Sequence, residues 1–123
     1  MNQPLSRQQH GFTDYTYLPL TLAMPKLAGF EHDKKAVALT QVLAGNVGLS
    51  SLFTRAEWGG FKKMPFKAHL ALDVANGVLA AGAPWLFGFA RNRRARNAFL
   101  FLGAFGLLAG LLTRPEEMPA SRQ

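Results

Sequence analysis

The sequence predicts an all-α membrane protein: four transmembrane helices, built as two parallel helical-hairpin repeats in an up-down bundle. Two observations predict it. The chain repeats itself without a gap, and its charges are gathered into short stretches that leave long uncharged runs between them.

Residues 10–57 reappear at residues 69–116, displaced by 59 positions with no insertion, and 14 of the 48 aligned pairs are identical. Chance pairing gives about three at ordinary residue frequencies. His10 and Asp14 answer His69 and Asp73, and Pro25-Lys-Leu-Ala-Gly-Phe30 answers Pro84-Trp-Leu-Phe-Gly-Phe89. Thr54-Arg-Ala-Glu57 answers Thr113-Arg-Pro-Glu116. Residues 1–123 therefore read as one membrane domain: repeat 1 at 10–57, repeat 2 at 69–116, and an interfacial linker at 58–68.

Uncharged runs occupy Ala36–Thr54 (19 residues), Val74–Ala90 (17) and Asn97–Thr113 (17). Crossing a hydrocarbon layer takes roughly 20 residues in a helix. The stretch Tyr15–Phe30 holds Pro19, Pro25 and Lys26 and is ambiguous alone. Its counterpart at Val74–Phe89 is of membrane length and carries the assignment. Lys26, near the far end, can extend its amine to the interface. The expected helices are about 14–30, 36–54, 68–89 and 96–113. An even number of spans per repeat makes both copies enter the membrane from the same side.

Within these helices, small residues at four-residue spacing mark packing seams: Ala44 with Gly48, Gly77 with Ala81, and Gly106 with Gly110. Trp58, in the linker Trp58-Gly-Gly-Phe61-Lys-Lys-Met-Pro-Phe66-Lys67, and Trp85 are expected as interface anchors. The formal net charge is +7, from 14 Lys and Arg against 7 Asp and Glu. The basic residues flank apolar runs and form no basic face with interleaved aromatics, so nucleic acid is not an expected partner. Cysteine is absent, which excludes disulfides and thiolate-bound metals. Lysines and arginines divide evenly between the two membrane faces. The turn-face charges at Lys34, Lys35, Arg93 and Arg94 precede helix N-termini, where the dipole disfavours them, so the turns are expected in the cytoplasm.

Eight polar residues recur as four duplicated pairs, all on the face that carries the termini: His10, Asp14, Arg55, Glu57, His69, Asp73, Arg114 and Glu116. His and Asp four residues apart share one side of a helix. The start of one helix lies beside the end of the next, which suggests ion pairs between Asp14 or Asp73 and Arg55 or Arg114. An ionic lock between hairpins is the leading reading of this cluster. A proton- or ion-responsive group is the alternative, and a metal- or haem-binding site is a third. Asn46, mid-helix, reads as interhelical glue. No nucleophile–base set, phosphate loop or dinucleotide fingerprint is present, so no enzymatic activity, catalytic residue, cofactor or metal ligand is assigned.

Ala83-Pro-Trp-Leu-Phe-Gly-Phe89 resembles the signature of the SPW repeat family, with Ala83 where the family has Ser. His69-Leu-Ala-Leu-Asp73-Val-Ala-Asn-Gly77 is similar to a pattern of its two-repeat members, whereas Met24-Pro-Lys-Leu-Ala-Gly-Phe30 lacks both Ser and Trp. The resemblance implies a small multi-pass protein of the bacterial inner (cytoplasmic) membrane, made of two hairpins, and implies no activity. The expected role is structural or accessory: packing in the bilayer against other membrane subunits of a larger complex, or self-association.

Overall fold

The computed structural model describes residues 3–54, 56, 59–61 and 64–117. Four helices follow in order: α1 (Arg7–Ala28), α2 (Lys34–Phe53), α3 (Phe66–Leu86) and α4 (Arg93–Leu112). Each helix packs on its chain neighbours, and α1 closes against α4, giving an up-down four-helix bundle with no strand among the described residues.

The 59-residue shift maps Arg7 onto Phe66, Lys34 onto Arg93 and Phe53 onto Leu112, so three helix starts and ends coincide between the halves. The caps repeat as well. Asp33 accepts from the Ala36 amide and Asn92 from the Ala95 amide, each at 3.2 Å, and Asn92 also donates to Asp33 at 3.2 Å across the turn end of the bundle. Gly29 and Gly88 both take φ +80°, the left-handed conformation that glycine adopts without a Cβ penalty. The next residues, Phe30 and Phe89, fold back under the bundle. Both are buried against Phe99, with ring centroids 6.1 and 5.0 Å away. The duplicated Gly-Phe is thus a helix stop followed by a plug for the turn end.

Helix α1 begins a full turn and more before the expected residue 14. Ser6 and Gln9 form a capping box that satisfies the first amides and so extends the helix over His10. Helix α3 starts at Phe66, so residues 66–68 are helix rather than linker. Pro65 offers its first turn no side-chain cap. Glu117 supplies one from the far end of the chain, accepting from the Phe66 and Lys67 amides at 2.9 Å each. Trp58 lies outside the described residues, and Trp85 is exposed near the end of α3.

The two hairpins use different seams. In α3–α4 the backbones meet. A Cβ on Gly77 would come within 2.8 Å of the Leu107 amide, and one on Gly103 within 2.8 Å of the Gly77 carbonyl. Gly106 and Gly110 lie on the same seam. In α1–α2 the corresponding positions hold Leu18, Ala44, Val47 and Ser51. One contact survives with its partners exchanged: Leu18 rests on Gly48 in the first hairpin, and Leu107 rests on Gly77 in the second. A large side chain and a glycine have traded helices while the space between them stays filled.

Substituting Gly103→Ala forces the α3–α4 backbones apart and is expected to cost about 1–3 kcal/mol. Gly82→Ala, whose Cβ meets nothing within 4 Å, should be neutral or stabilising by up to ~1 kcal/mol. Denaturant titration of both variants in detergent, followed by circular dichroism, measures the contrast.

Candidate functional site: a buried histidine–aspartate ring

Four of the eight duplicated polar residues meet on the bundle axis. His10 and Asp14 lie on the first turns of α1, His69 and Asp73 on those of α3, and all four are buried. The short contacts run between repeats. His10 Nε2 is 2.6 Å from Asp73 Oδ2, and His69 Nε2 makes the matching contact with Asp14 Oδ2. Within each helix the separations are longer: 3.1 Å for His10–Asp14 and 3.3 Å for His69–Asp73. Two ring nitrogens and two carboxylate oxygens thus alternate around a small quadrilateral. One ligand atom from each of the four residues lies within 4.8 Å of all the others.

Local structure brings them there. The segment before α1 pairs with the chain leaving α4: the Leu5 amide donates to Leu112 and the Arg114 amide to Leu5, at 3.1 and 2.9 Å. The Met64 amide donates to Phe53 at 2.7 Å, the repeat-related contact between the segment before α3 and the end of α2. These pairings set Thr113 beside His10 and Thr54 beside His69. Nδ1 of His10 is 2.8 Å from Thr113 Oγ1, and Nδ1 of His69 is 2.9 Å from Thr54 Oγ1. Each threonine donates its single hydroxyl proton to a carbonyl four residues back, Ala109 or Ser50.

That commitment determines the histidine tautomer. A hydroxyl whose proton is already given can only accept, so each Nδ1 carries a hydrogen and donates it. Each Nε2 then faces a carboxylate oxygen. A bare lone pair against a carboxylate would repel, so each short edge must hold a positive species. One proton per edge satisfies this and leaves the ring electrically neutral, which lowers the cost of burying four ionisable groups. Ser51 Oγ adds a 3.4 Å contact to Asp14 Oδ2. Its counterpart Gly110 has no hydroxyl to offer Asp73. Phe66 closes the site, stacked on His69 and edge-on to His10, with centroids 6.1 and 5.7 Å away.

The expected Asp–Arg pairing does not form at Arg114. Its guanidinium bonds Glu116 at 2.8 Å on the surface, where both side chains are at least half exposed, and the aspartates turn inward to histidine instead. Arg55 and Glu57 lie outside the described residues. Thr54 and Thr113, identical in both copies, complete the ring; uncharged, they are not among the eight polar residues expected from the sequence. A haem between the two histidines has no room. The imidazole centroids are 5.3 Å apart at 88°, and the aspartate oxygens fill the space between the nitrogens.

Beside the ring the two interhelical seams differ. Between α2 and α3, Asn46 Nδ2 donates to Asn76 Oδ1 at 3.1 Å. The repeat-related pair between α4 and α1 is Phe105 with Tyr17, ring centroids 5.5 Å apart. The polar seam borders a cleft of about 530 Å³, lined among others by Asn46, Ser50, Phe53, Met64, Asp73 and Asn76.

Asp14→Asn or Asp73→Asn leaves a buried imidazolium without its counter-charge and is expected to cost about 3–5 kcal/mol. The double variant should cost clearly less than the sum, because both carboxylates serve one ring. Unfolding titrations of the two single variants and the double variant test this, and additive costs would show two independent pairs. Compared with family profiles, curated proteins and solved structures, the chain matches none of them.

Proposed function

We propose that this chain is an integral membrane protein of four spans whose role is structural or accessory, packing against a larger membrane complex or against copies of itself. The observation that carries the reading is the outside of the bundle, where large apolar side chains are exposed while the few ionisable groups of the helix interiors sit inside, within an otherwise apolar core of Phe30, Leu43, Phe99 and Leu102. Its inside holds His10, Asp14, Thr21, Thr40, Ser51, His69 and Asp73. Its outside presents Leu22, Leu27, Val42, Leu49, Val78, Leu86, Phe101 and Leu108. Exposed apolar side chains in this number favour an apolar surrounding, with Thr16, Gln41 and Asn46 the polar residues among them. Apart from the buried aspartates, charged side chains within the helices fall in the terminal turns: Arg7, Lys26, Lys34, Lys35, Lys67, Arg93, Arg94 and Arg96.

Helices α2 and α4 are long and apolar enough to cross a membrane, and at 20 residues each extends about 30 Å, the thickness of the hydrocarbon layer. Helix α3 carries His69, Asp73 and Asn76 on its inner face, and α1 carries His10 and Asp14 inside with Gln8, Gln9, Thr16 and Lys26 exposed. The resemblance to the SPW repeat family supports this architecture and supplies no activity. The ring, whose short contacts all join one repeat to the other, acts in this reading as the clasp between hairpins. The alternative role as a proton- or ion-responsive protein draws on the same ring and on the α2–α3 cleft beside it.

Two experiments test the proposal. Cysteines placed singly at positions 33 and 61 should label from opposite sides of the membrane, 33 from the cytoplasm. Labelling of both from one side removes the four-span topology. Purified in mild detergent, the protein should run with a stable partner or as an oligomer, and a clean monomer with nothing bound argues against the accessory role. Asp14→Asn and Asp73→Asn proteins that stay folded but lose a proton or ion flux in vesicles would favour the responsive role.

A further inference from the structure

We propose that His10, Asp14, His69 and Asp73 bind one divalent first-row transition-metal ion of the zinc class. This goes beyond the architectural role and does not depend on it: a clasp needs only protons, whereas the geometry also suits a cation. Three observations carry the inference.

The first is the donor set and its spacing. Zinc takes imidazole nitrogen at about 2.0–2.1 Å and carboxylate oxygen at about 2.0–2.2 Å, four ligands in a tetrahedron. Ligand atoms on such a tetrahedron lie about 3.3 Å apart, by the geometry of those bond lengths. The two within-helix edges of the ring, at 3.1 and 3.3 Å, are already near that value. The short His10–Asp73 edge, at 2.6 Å, and its His69–Asp14 counterpart need only lengthen by under about 1 Å. Side-chain adjustment can supply this without moving a helix. A mixed nitrogen and oxygen set favours zinc, cobalt or nickel over calcium and magnesium, which take oxygen.

The second is the outer support. A histidine that binds metal through Nε2 normally donates its Nδ1 hydrogen to a fixed acceptor, which orients the ring and selects the tautomer. Both histidines have that acceptor, Thr113 or Thr54, with the hydroxyl proton tied to a helix carbonyl. Charge also balances. One divalent cation replaces the two protons of the ring, the protons leave to solvent, and two carboxylates with two neutral imidazoles make the filled site neutral.

The third is access. Asp73 is both a ring member and a wall of the α2–α3 cleft, with Asn46, Ser50 and Asn76 as further polar groups along it. The repeat-related α1–α4 seam is occupied by Tyr17 against Phe105. Among the described residues, the approach that offers a cation polar groups is on the α2–α3 side, in a cleft otherwise lined by apolar residues.

Cobalt(II) is the probe. Added to the full-length protein in detergent after chelator treatment, it should give the intense visible bands of tetrahedral cobalt and saturate at one ion per chain. Zinc should displace it, and magnesium or calcium should not. The Asp14→Asn/Asp73→Asn double variant should lose the bands. Where that variant fails to fold, Thr54→Val and Thr113→Val keep all four ligands and should weaken cobalt binding about 10–100-fold, the usual effect of removing an outer partner. Absence of a saturable one-to-one spectrum in the wild-type protein overturns the proposal. So does a spectrum unchanged in the folded aspartate variant or in both threonine variants, which would place the ion elsewhere. Asn46→Phe/Asn76→Tyr, which rebuilds the α1–α4 pair on the other seam, should slow cobalt uptake at least tenfold with the same final stoichiometry. An unchanged rate overturns the access route.

Discussion

The pairing of each histidine with the aspartate of the other repeat is the contact on which this structure depends. Four ionisable side chains at the centre of a bundle would be a heavy desolvation cost if any one lacked its complement. Here each nitrogen has an oxygen across the axis and a threonine behind it, so the group is satisfied only as a whole. Helix starts and the paired terminal segments all serve to hold these atoms in register. The capping box that carries α1 back to Arg7 is needed for the same reason, since without that extra turn His10 would lie off the helix and out of reach of Asp73.

The symmetry is strict where polar atoms must meet and loose where only volume must be conserved. Asp33 and Asn92 differ in charge yet cap their helices identically. Leu18 over Gly48 has become Leu107 over Gly77, the same filled space with its contributors reversed. The glycine-lined α3–α4 seam draws that hairpin into a tighter unit than α1–α2, whose leucine and valine hold the backbones further apart. Such divergence turns an approximate twofold into a molecule with one open polar side and one aromatic side.

Much of this frame was legible in the residues. The charge-free runs and the repeat register placed the limits of α2, α3 and α4 to within about three positions, whereas α1 begins seven residues before the expected 14; the Asp33 and Asn92 caps emerge only in the structure. Asn46 was read as interhelical glue, and it does bond Asn76 on α3. The ring members were legible as duplicated polar residues, but not their partners. Opposite charges at helix ends suggested Asp with Arg. The structure instead leaves Arg114 half exposed and paired with Glu116, and gives the buried aspartates histidine partners that are themselves fixed by Thr54 and Thr113. Ser6, Gln9 and Glu117 act through backbone amides, and no duplicated pattern marks them. The contribution of Glu117 to a helix 50 residues earlier has no local signal at all.

The longer within-helix contact from His10 to Asp14, at 3.1 Å, bears on how the chain is made. The first hairpin leaves the ribosome before Asp73 exists, so during synthesis His10 has one carboxylate within reach, four residues along its own helix. The shorter bond, to Asp73 at 2.6 Å, needs the second hairpin. The ring is complete only once α3 has joined α1, because each of its short contacts takes one partner from each repeat.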